Sequence, residues 1–315
     1  MTNSGGRKIV ITAQTMSRVV GPFQQKLSDQ GWDVHITLPK GQGFSSRDLA
    51  EAGRGARAMI IGDDEATEEF FSSVSPNLKV LVKWGVGTDS IDFQAAERFG
   101  VEIHNTPGAF SDEVADLALA YVLALSRHVV DTHLQVFRGA WPQISGTTLS
   151  GKTLGLVGFG AIGQATAHRA QAFGMNVLFY DPYFPGPNPP GCAERNSDQV
   201  FREADFVVLS CPSTPETRGI VNSQSLALMK PSSSLVNVAR GDLVIEEDLV
   251  AALTIGSLAG AALDVYQDEP LPVSSSLRDF SNVIFGAHNG SNTVEGLMRA
   301  SAMATDIVLA HEMGD

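Results

Sequence analysis

Gly158, Gly160 and Gly163 stand in the spacing G-x-G-x-x-G, and an acid, Asp181, follows about 20 residues on. Before the glycines runs Leu154-Gly155-Leu156-Val157, which reads as a buried strand. After them Ala161 to Phe173 reads as a helix closed by Gly174, and Val177 to Tyr180 as a second strand. A strand, a glycine turn and a helix start can together hold a diphosphate. Gly158 permits the turn, Gly160 lets phosphates approach the backbone, and Gly163 lets the helix sit close to the strand. The helix start supplies N–H groups and partial positive charge. Asp181 would accept hydrogen bonds from ribose hydroxyls and repel a 2′-phosphate, which favours NAD over NADP. The alternative is an ordinary βαβ unit whose glycines serve packing, with Asp181 capping the turn at Pro182.

Three further residues lie just past apolar runs, where a parallel sheet presents its ligands. Arg240 follows the run ending at Val238, Glu269 follows the one ending near Asp264, and His288 follows Val283 to Ala287. Hydride transfer to a 2-keto acid needs these residue types. An arginine fork grips the carboxylate with two bonds, and a histidine gives a proton to the carbonyl oxygen near neutral pH. A carboxylate bonded to the imidazole favours its charged form and orients it. Taken singly, each has a bland alternative: a turn histidine, a surface arginine in an Arg-Gly-Asp turn, a solvated glutamate.

The elements that must position these groups are α/β throughout. Strands are expected at 8–12, 34–38, 58–61 and 78–82, alternating with helices at 22–30, 47–52, 65–73 and 92–99. This first third carries no phosphate fingerprint. It does carry Trp84-Gly85-Val86-Gly87-Thr88-Asp89, either an anion-binding nest or a plain glycine turn into the next helix. A long helix is expected at 111–127, with Ser111 as its cap. After a proline-rich loop at 182–191, strands are expected at 206–209, 235–238, 258–263 and 283–285, and helices at 246–253 and 293–312. The last helix would return to the first domain and make it discontinuous.

With 315 residues the chain has room for two domains, and 43% hydrophobic residues can bury sizeable cores. A formal net charge of −13 argues against nucleic acid or anionic membrane as partner. The N-terminal stretch has no signal-peptide core and no run is long enough to span a membrane, so a cytoplasmic location is expected. Cys192 and Cys211 form no metal or CxxC pattern. The other histidines, His35, His104, His128, His133, His168 and His311, show no metal spacing, so no metal is expected.

Over nearly its whole length the sequence resembles the NAD-dependent D-2-hydroxyacid dehydrogenases, the family of phosphoglycerate dehydrogenase and the glyoxylate/hydroxypyruvate reductases. The matching stretches are WGVGTDSID at 84–92, NTPG at 105–108, AD at 115–116, GKTLGLVGFGAIG at 151–163, NVARGDLV at 237–244, ALDVYQDEP at 262–270 and AHNGSNT at 287–293. The resemblance implies two doubly wound parallel-sheet domains. A Rossmann cofactor domain, 105–291, is inserted in a flavodoxin-like substrate domain, 1–104 with 292–315, and the active site lies in the cleft between them. It implies Arg240 as substrate binder, His288 as proton donor, Glu269 as its partner, and backbone N–H groups of Val86 and Gly87 for the substrate carboxylate. Cofactor contacts carried over by position are Ala161, Ile162, Asp181, Pro212, Thr217, Val238, Ala239, Arg240, Asp264, His288 and Gly290, besides the three glycines. A small 2-keto or 2-hydroxy acid is the implied substrate, and a homodimer through the cofactor domain the implied assembly. Asn289, Asp116 and Ser90 depart from the commoner apolar residue, glutamate and asparagine, so the family's substrate preferences do not transfer directly. The sequence ends soon after the last helix, and the regulatory domain of many phosphoglycerate dehydrogenases is expected to be absent. Two other classes share parts of the pattern. One is a corepressor-like protein that senses NAD(H) without turnover. The other, a methyltransferase, is disfavoured by the full glycine spacing and the Arg–Glu–His set.

Overall fold

The computed structural model describes residues 7–41 and 43–313. The start of the stretch read as lacking a leader, residues 1–6, and the last two residues of the substrate domain lie outside the described residues. The chain forms two compact units, residues 1–110 with 292–315 and residues 111–291.

The first unit is built on five parallel strands: β1 Arg7–Ile11, β2 Trp32–Ile36, β3 Ala58–Ile61, β4 Val80–Lys83 and β5 Glu102–Asn105. Their order is β2-β1-β3-β4-β5, with the reversal between β1 and β3. β3 and β4 are buried along their whole length, as strands covered on both faces must be, and they are unbroken apolar runs up to Lys83. Helices around them start where the sequence supplies caps. Pro22 sits at the start of Gly21–Asp29, Ser45 accepts from Asp48 N ahead of Ser46–Ala52, and Asp92 accepts from Ala95 N ahead of Phe93–Arg98. Phe70, Phe71, Leu49, Met59 and Leu81 fill one face of the sheet, and burying each stabilises the fold by about 1.5–3 kcal/mol. The last helix, Val294–Met313, belongs to this unit. Its inner face is Leu297, Ala300, Ala304 and Val308, and Ser301 Oγ accepts from Trp84 Nε1 at 3.0 Å. Residues 105–110 also stay with this unit: Thr106 N donates to Gly85 O, and the Phe110 ring lies 5.1 Å from that of Trp84.

The second unit has seven parallel strands: β6 Thr153–Val157, β7 Asn176–Tyr180, β8 Cys192–Glu194, β9 Phe206–Leu209, β10 Ser234–Asn237, β11 Gly260–Leu263 and β12 Val283–Phe285. Their order is β12-β11-β10-β9-β6-β7-β8, so the direction of winding switches between β6 and β9. The alternation of apolar runs and helices led to the expectation of parallel βαβ units, and the strand order is the doubly wound one that the resemblance implies. β9, β10 and β11 are wholly buried, while the edge strands β8 and β12 are partly exposed. The long helix Ser111–Arg127 packs on the helix Ala161–Ala172 and on β10 and β11. Ser111 is its first residue. Arg169 joins the two helices by binding Asp112 at 3.0 Å and also Asp116.

Several elements differ from the sequence reading. β10 ends at Asn237 and β11 begins at Gly260, because the apolar residues beyond them, Val238 and Leu258, lie in the adjoining turns. The sequence pattern does not mark β5, β8 or the helices Val129–Phe137, Ser197–Glu203 and Ser223–Leu228. β5 is Glu-Ile-His-Asn, with one apolar residue, and β8 is three residues long. Edge strands without two buried faces leave little pattern to read.

Candidate active site

The glycine turn leaves β6 at the switch point, where a doubly wound sheet opens a crevice beyond its strand ends. Gly158 has φ +95°, and a Cβ there would come within 2.5 Å of Cys211 N, on the turn after β9. Ser210 Oγ closes the same junction by donating to Gly158 O at 2.9 Å. A Cβ on Gly163 would meet Gly158 O at 2.4 Å, so the helix can approach the strand only because this residue has none. At Gly160 nothing lies within 4 Å of the Cβ position, and no side chain caps the twelve-residue helix that it begins. The first N–H groups of a helix have no partner within it, and here backbone and open space face each other as a diphosphate requires. The loop is braced from below by Phe159, stacked on Phe179 with ring centroids 3.9 Å apart and edge-on to Phe184 at 5.2 Å.

Asp181 follows β7 and ties this loop to its own turn. Oδ2 accepts from Phe159 N at 2.8 Å and Oδ1 from Tyr183 N at 3.0 Å. It therefore caps the turn after Pro182, and each oxygen keeps a second lone pair for a hydroxyl donor. Thr217 uses its hydroxyl within the loop after β9, donating to Pro212 O at 2.7 Å and accepting from Thr214 N at 2.8 Å. Burial pushes the Cys211 thiol up to about 11, with Asp181 and Asp242 adding to the shift, so it rests here as a neutral thiol.

Arg240 follows β10 in a turn shaped by buried Asn237, whose Nδ2 donates to Arg240 O at 2.8 Å and whose Oδ1 accepts from Ala239 N at 3.1 Å. Val238 is buried and Ala239 and Arg240 are half-buried. One guanidinium nitrogen donates to Ala239 O at 2.8 Å. A Cβ on the next residue, Gly241, would lie 1.8 Å from Tyr266 O, so the Arg240 turn is seated directly on the loop that carries Glu269.

His288 Nδ1 lies 2.8 Å from Glu269 Oε2. The other carboxylate oxygen accepts from Tyr266 N at 2.9 Å, which fixes the acid, and the peptide bond from Glu269 to Pro270 is cis. The side chain of Glu269 is 16% exposed and that of His288 38%. With Nδ1 engaged, the other ring nitrogen, Nε2, is the one that can serve a substrate. His288 itself adopts φ +52°, and its N donates to Asp264 O at 2.7 Å. Asp264, expected at the cofactor, is 1% exposed, and its carboxylate accepts from Gly290 N at 2.8 Å and Tyr121 Oη at 3.1 Å. Tyr266 closes the loop from within: its hydroxyl lies 2.8 Å from Leu263 O and 2.9 Å from Gly286 O, sharing its one proton between them, and burial beside Asp264 pushes the phenol up to about 12. Asn237, Tyr121 and Tyr266 were not singled out in the sequence. The available signal was a tyrosine in an apolar stripe, whose hydroxyl needs a buried partner.

In the first unit, Val86 and Gly87 lie beyond the end of β4. Gly85 has φ +135°, its N donates to Thr106 Oγ1 at 3.0 Å, and Asn105 Nδ2 holds Val86 O at 2.8 Å. Val86 is 42% exposed. Among the described residues no three His, Cys, Asp or Glu side chains gather as a metal would require, and no helix is long and apolar enough to cross a membrane.

A family profile described as D-isomer specific 2-hydroxyacid dehydrogenase, NAD binding domain, matches residues 119–290, which hold the glycine turn, Arg240, Glu269 and His288. A D-3-phosphoglycerate dehydrogenase of Synechocystis is 41% identical over 241 residues, 75% of this chain, and the match spans 43% of that relative's length. A glyoxylate reductase of Pyrococcus furiosus is 32% identical over 319 residues, 98% of this chain and 93% of its own. The crystal structure of an Aquifex aeolicus D-lactate dehydrogenase with NAD and lactic acid superimposes with a TM-score of 0.83 at 27% identity, covering 98% of this chain and 96% of the other. Profile, full-length relative and fold agree with the switch-point geometry: this chain belongs to the D-isomer-specific 2-hydroxyacid dehydrogenase family.

Proposed function

We propose that the protein interconverts a small 2-keto acid and its D-2-hydroxy acid, with NAD as hydride partner. The observation that carries this reading is the 2.8 Å contact of His288 Nδ1 with a Glu269 carboxylate that is itself fixed by Tyr266 N. The residues around the switch point fit a dinucleotide: open backbone at Gly160, an uncapped helix start at Ala161 and Ile162, and an acid at Asp181. Pro212, Thr217, Val238, Ala239, Asp264 and Gly290 complete the cofactor's surroundings in this reading. Bound NADH supplies a hydride to the carbonyl carbon. His288 does the proton chemistry. Glu269 holds Nδ1 and favours the charged ring, so that Nε2 donates a proton to the carbonyl oxygen in reduction and accepts one in oxidation. Arg240 grips the carboxylate through its planar fork.

Asp181 makes NADP the poorer cofactor, because a 2′-phosphate would bring negative charge against a carboxylate already fixed at the loop. A homodimer is supported by the helix Val129–Phe137 and the turn after it. There Val129, Leu134, Val136, Phe137 and Trp141 are exposed, Phe137 and Trp141 at 82%, and a second copy would cover them. A cytoplasmic location fits two cysteines that are both free thiols. The test is a panel of glyoxylate, hydroxypyruvate and phosphohydroxypyruvate with NADH and NADPH. Turnover of at least one acid with NADH, and weaker turnover with NADPH, is expected. NADH binding without turnover of any 2-keto acid would overturn the reading in favour of a sensing role.

A further inference from the structure

We propose that Tyr121 is a positioning residue for the proton donor, its hydroxyl holding buried Asp264 so that the turn from Gly286 to Gly290 presents His288. This rests on the reading of His288 as the group that moves the proton.

Tyr121 lies on the inner face of the helix Ser111–Arg127, among Val114, Ala118 and Val122, where an apolar residue would satisfy packing. Instead its hydroxyl donates to Asp264 Oδ1 at 3.1 Å, while Gly290 N donates to Oδ2 at 2.8 Å. The backbone oxygen of Asp264 takes His288 N at 2.7 Å. Asp264 thus grips the turn at His288 itself and two residues beyond it, and the histidine's φ of +52° is costly for a residue with a Cβ. A buried carboxylate needs its donors, and losing one leaves it to seek another or to move. Burial, and Asp264 beside it, push the Tyr121 phenol far above its ordinary range, so it stays a donor at any working pH.

The same turn carries an independent sign of this fit. A Cβ on Gly286 would lie 2.3 Å from Tyr121 Oη and 2.2 Å from Asp264 Oδ1. The space beside the turn is already occupied by the phenol and the carboxylate that it holds. Tyr121 and Gly286, far apart in sequence, therefore act as a matched pair. Without the hydroxyl, the carboxylate could swing away and relieve the two closest contacts of a side chain at 286, leaving the Asp264 Cα at 3.0 Å.

The test compares Tyr121→Phe, Gly286→Ala, the double variant and His288→Ala. For each, kcat, KM for the keto acid, NADH affinity by fluorescence titration and thermal unfolding are measured. Tyr121→Phe is expected to lower kcat about 5- to 20-fold while NADH affinity and keto-acid KM change less than about threefold. Gly286→Ala alone is expected to lower kcat at least as far, and to cost less than about half as much on a logarithmic scale when Tyr121→Phe is already present. Wild-type kcat in Tyr121→Phe, or equal cost of Gly286→Ala in both backgrounds, would overturn the proposal. Should Tyr121→Phe fail to fold, Gly286→Ala alone decides, since an unchanged kcat there shows that the crowding does not matter. His288→Ala separates the two readings. If it retains turnover, the assignment of the proton donor fails; if it is inactive while Tyr121→Phe is unimpaired, only the positioning role fails.

Discussion

Replacing Glu269 by glutamine keeps the shape of the Glu269–His288 pair and removes its charge. The two side chains meet at 2.8 Å and are 16% and 38% exposed, so the pair is neither dry nor fully solvated. Unit charges about 4 Å apart attract by about 4 kcal/mol at an effective dielectric of about 20. Exposure of the imidazole screens part of this, which leaves roughly 1.5–2.5 kcal/mol. The sign follows from which form the carboxylate favours. It stabilises the imidazolium, so the native enzyme keeps its proton donor to higher pH, and Glu269→Gln loses it earlier. The falling limb of kcat/KM for keto-acid reduction should move to lower pH, while oxidation of the hydroxy acid, which needs the neutral ring, should be retained at alkaline pH. The assay is NADH consumption and NAD reduction across the pH range at saturating cofactor. A reduction limb that stays in place would refute the argument that Glu269 acts through charge.

Gly158→Ala should weaken NADH binding at least about tenfold, because its Cβ would press on Cys211 N from a backbone of positive φ; isothermal titration checks this, and unchanged affinity counts against the glycine loop as the diphosphate site. Asp181→Ser should raise kcat/KM with NADPH relative to NADH by about 10-fold or more, read in the same spectrophotometric assay, since it removes the charge facing a 2′-phosphate. If the proposed homodimer forms through this face, Phe137→Glu with Trp141→Glu should shift it to monomer in sedimentation, as both side chains are 82% exposed and apolar; a sedimentation profile that does not change would count against that interface.

Much of the fold was legible because parallel strands buried on both faces must be apolar runs. Ala58–Ile61 and Phe206–Leu209 are strands over the very residues that the sequence marks. The glycine turn was legible because strand, turn and helix each constrain a different residue. The edges were not. Glu102–Asn105 pairs only with β4; Glu102 is exposed and the other three residues are half-buried. Asp181 carried two readings, and the structure places it on Phe159 N and Tyr183 N, a structural duty that no sequence spacing separates from a binding one. The support behind His288 was hidden for another reason. Tyr121 continues the apolar stripe of its helix, and only the three-dimensional approach to Asp264 and Gly286 reveals what its hydroxyl is for.

The central claim, that His288 moves the proton for a carbonyl reduced by NADH, is tested most directly by single-turnover reduction of a responsive 2-keto acid by His288→Asn loaded with NADH. The expected result is NADH binding within about threefold of the native protein and a rate lower by roughly 10²–10⁴. Native-like reduction by His288→Asn would contradict it.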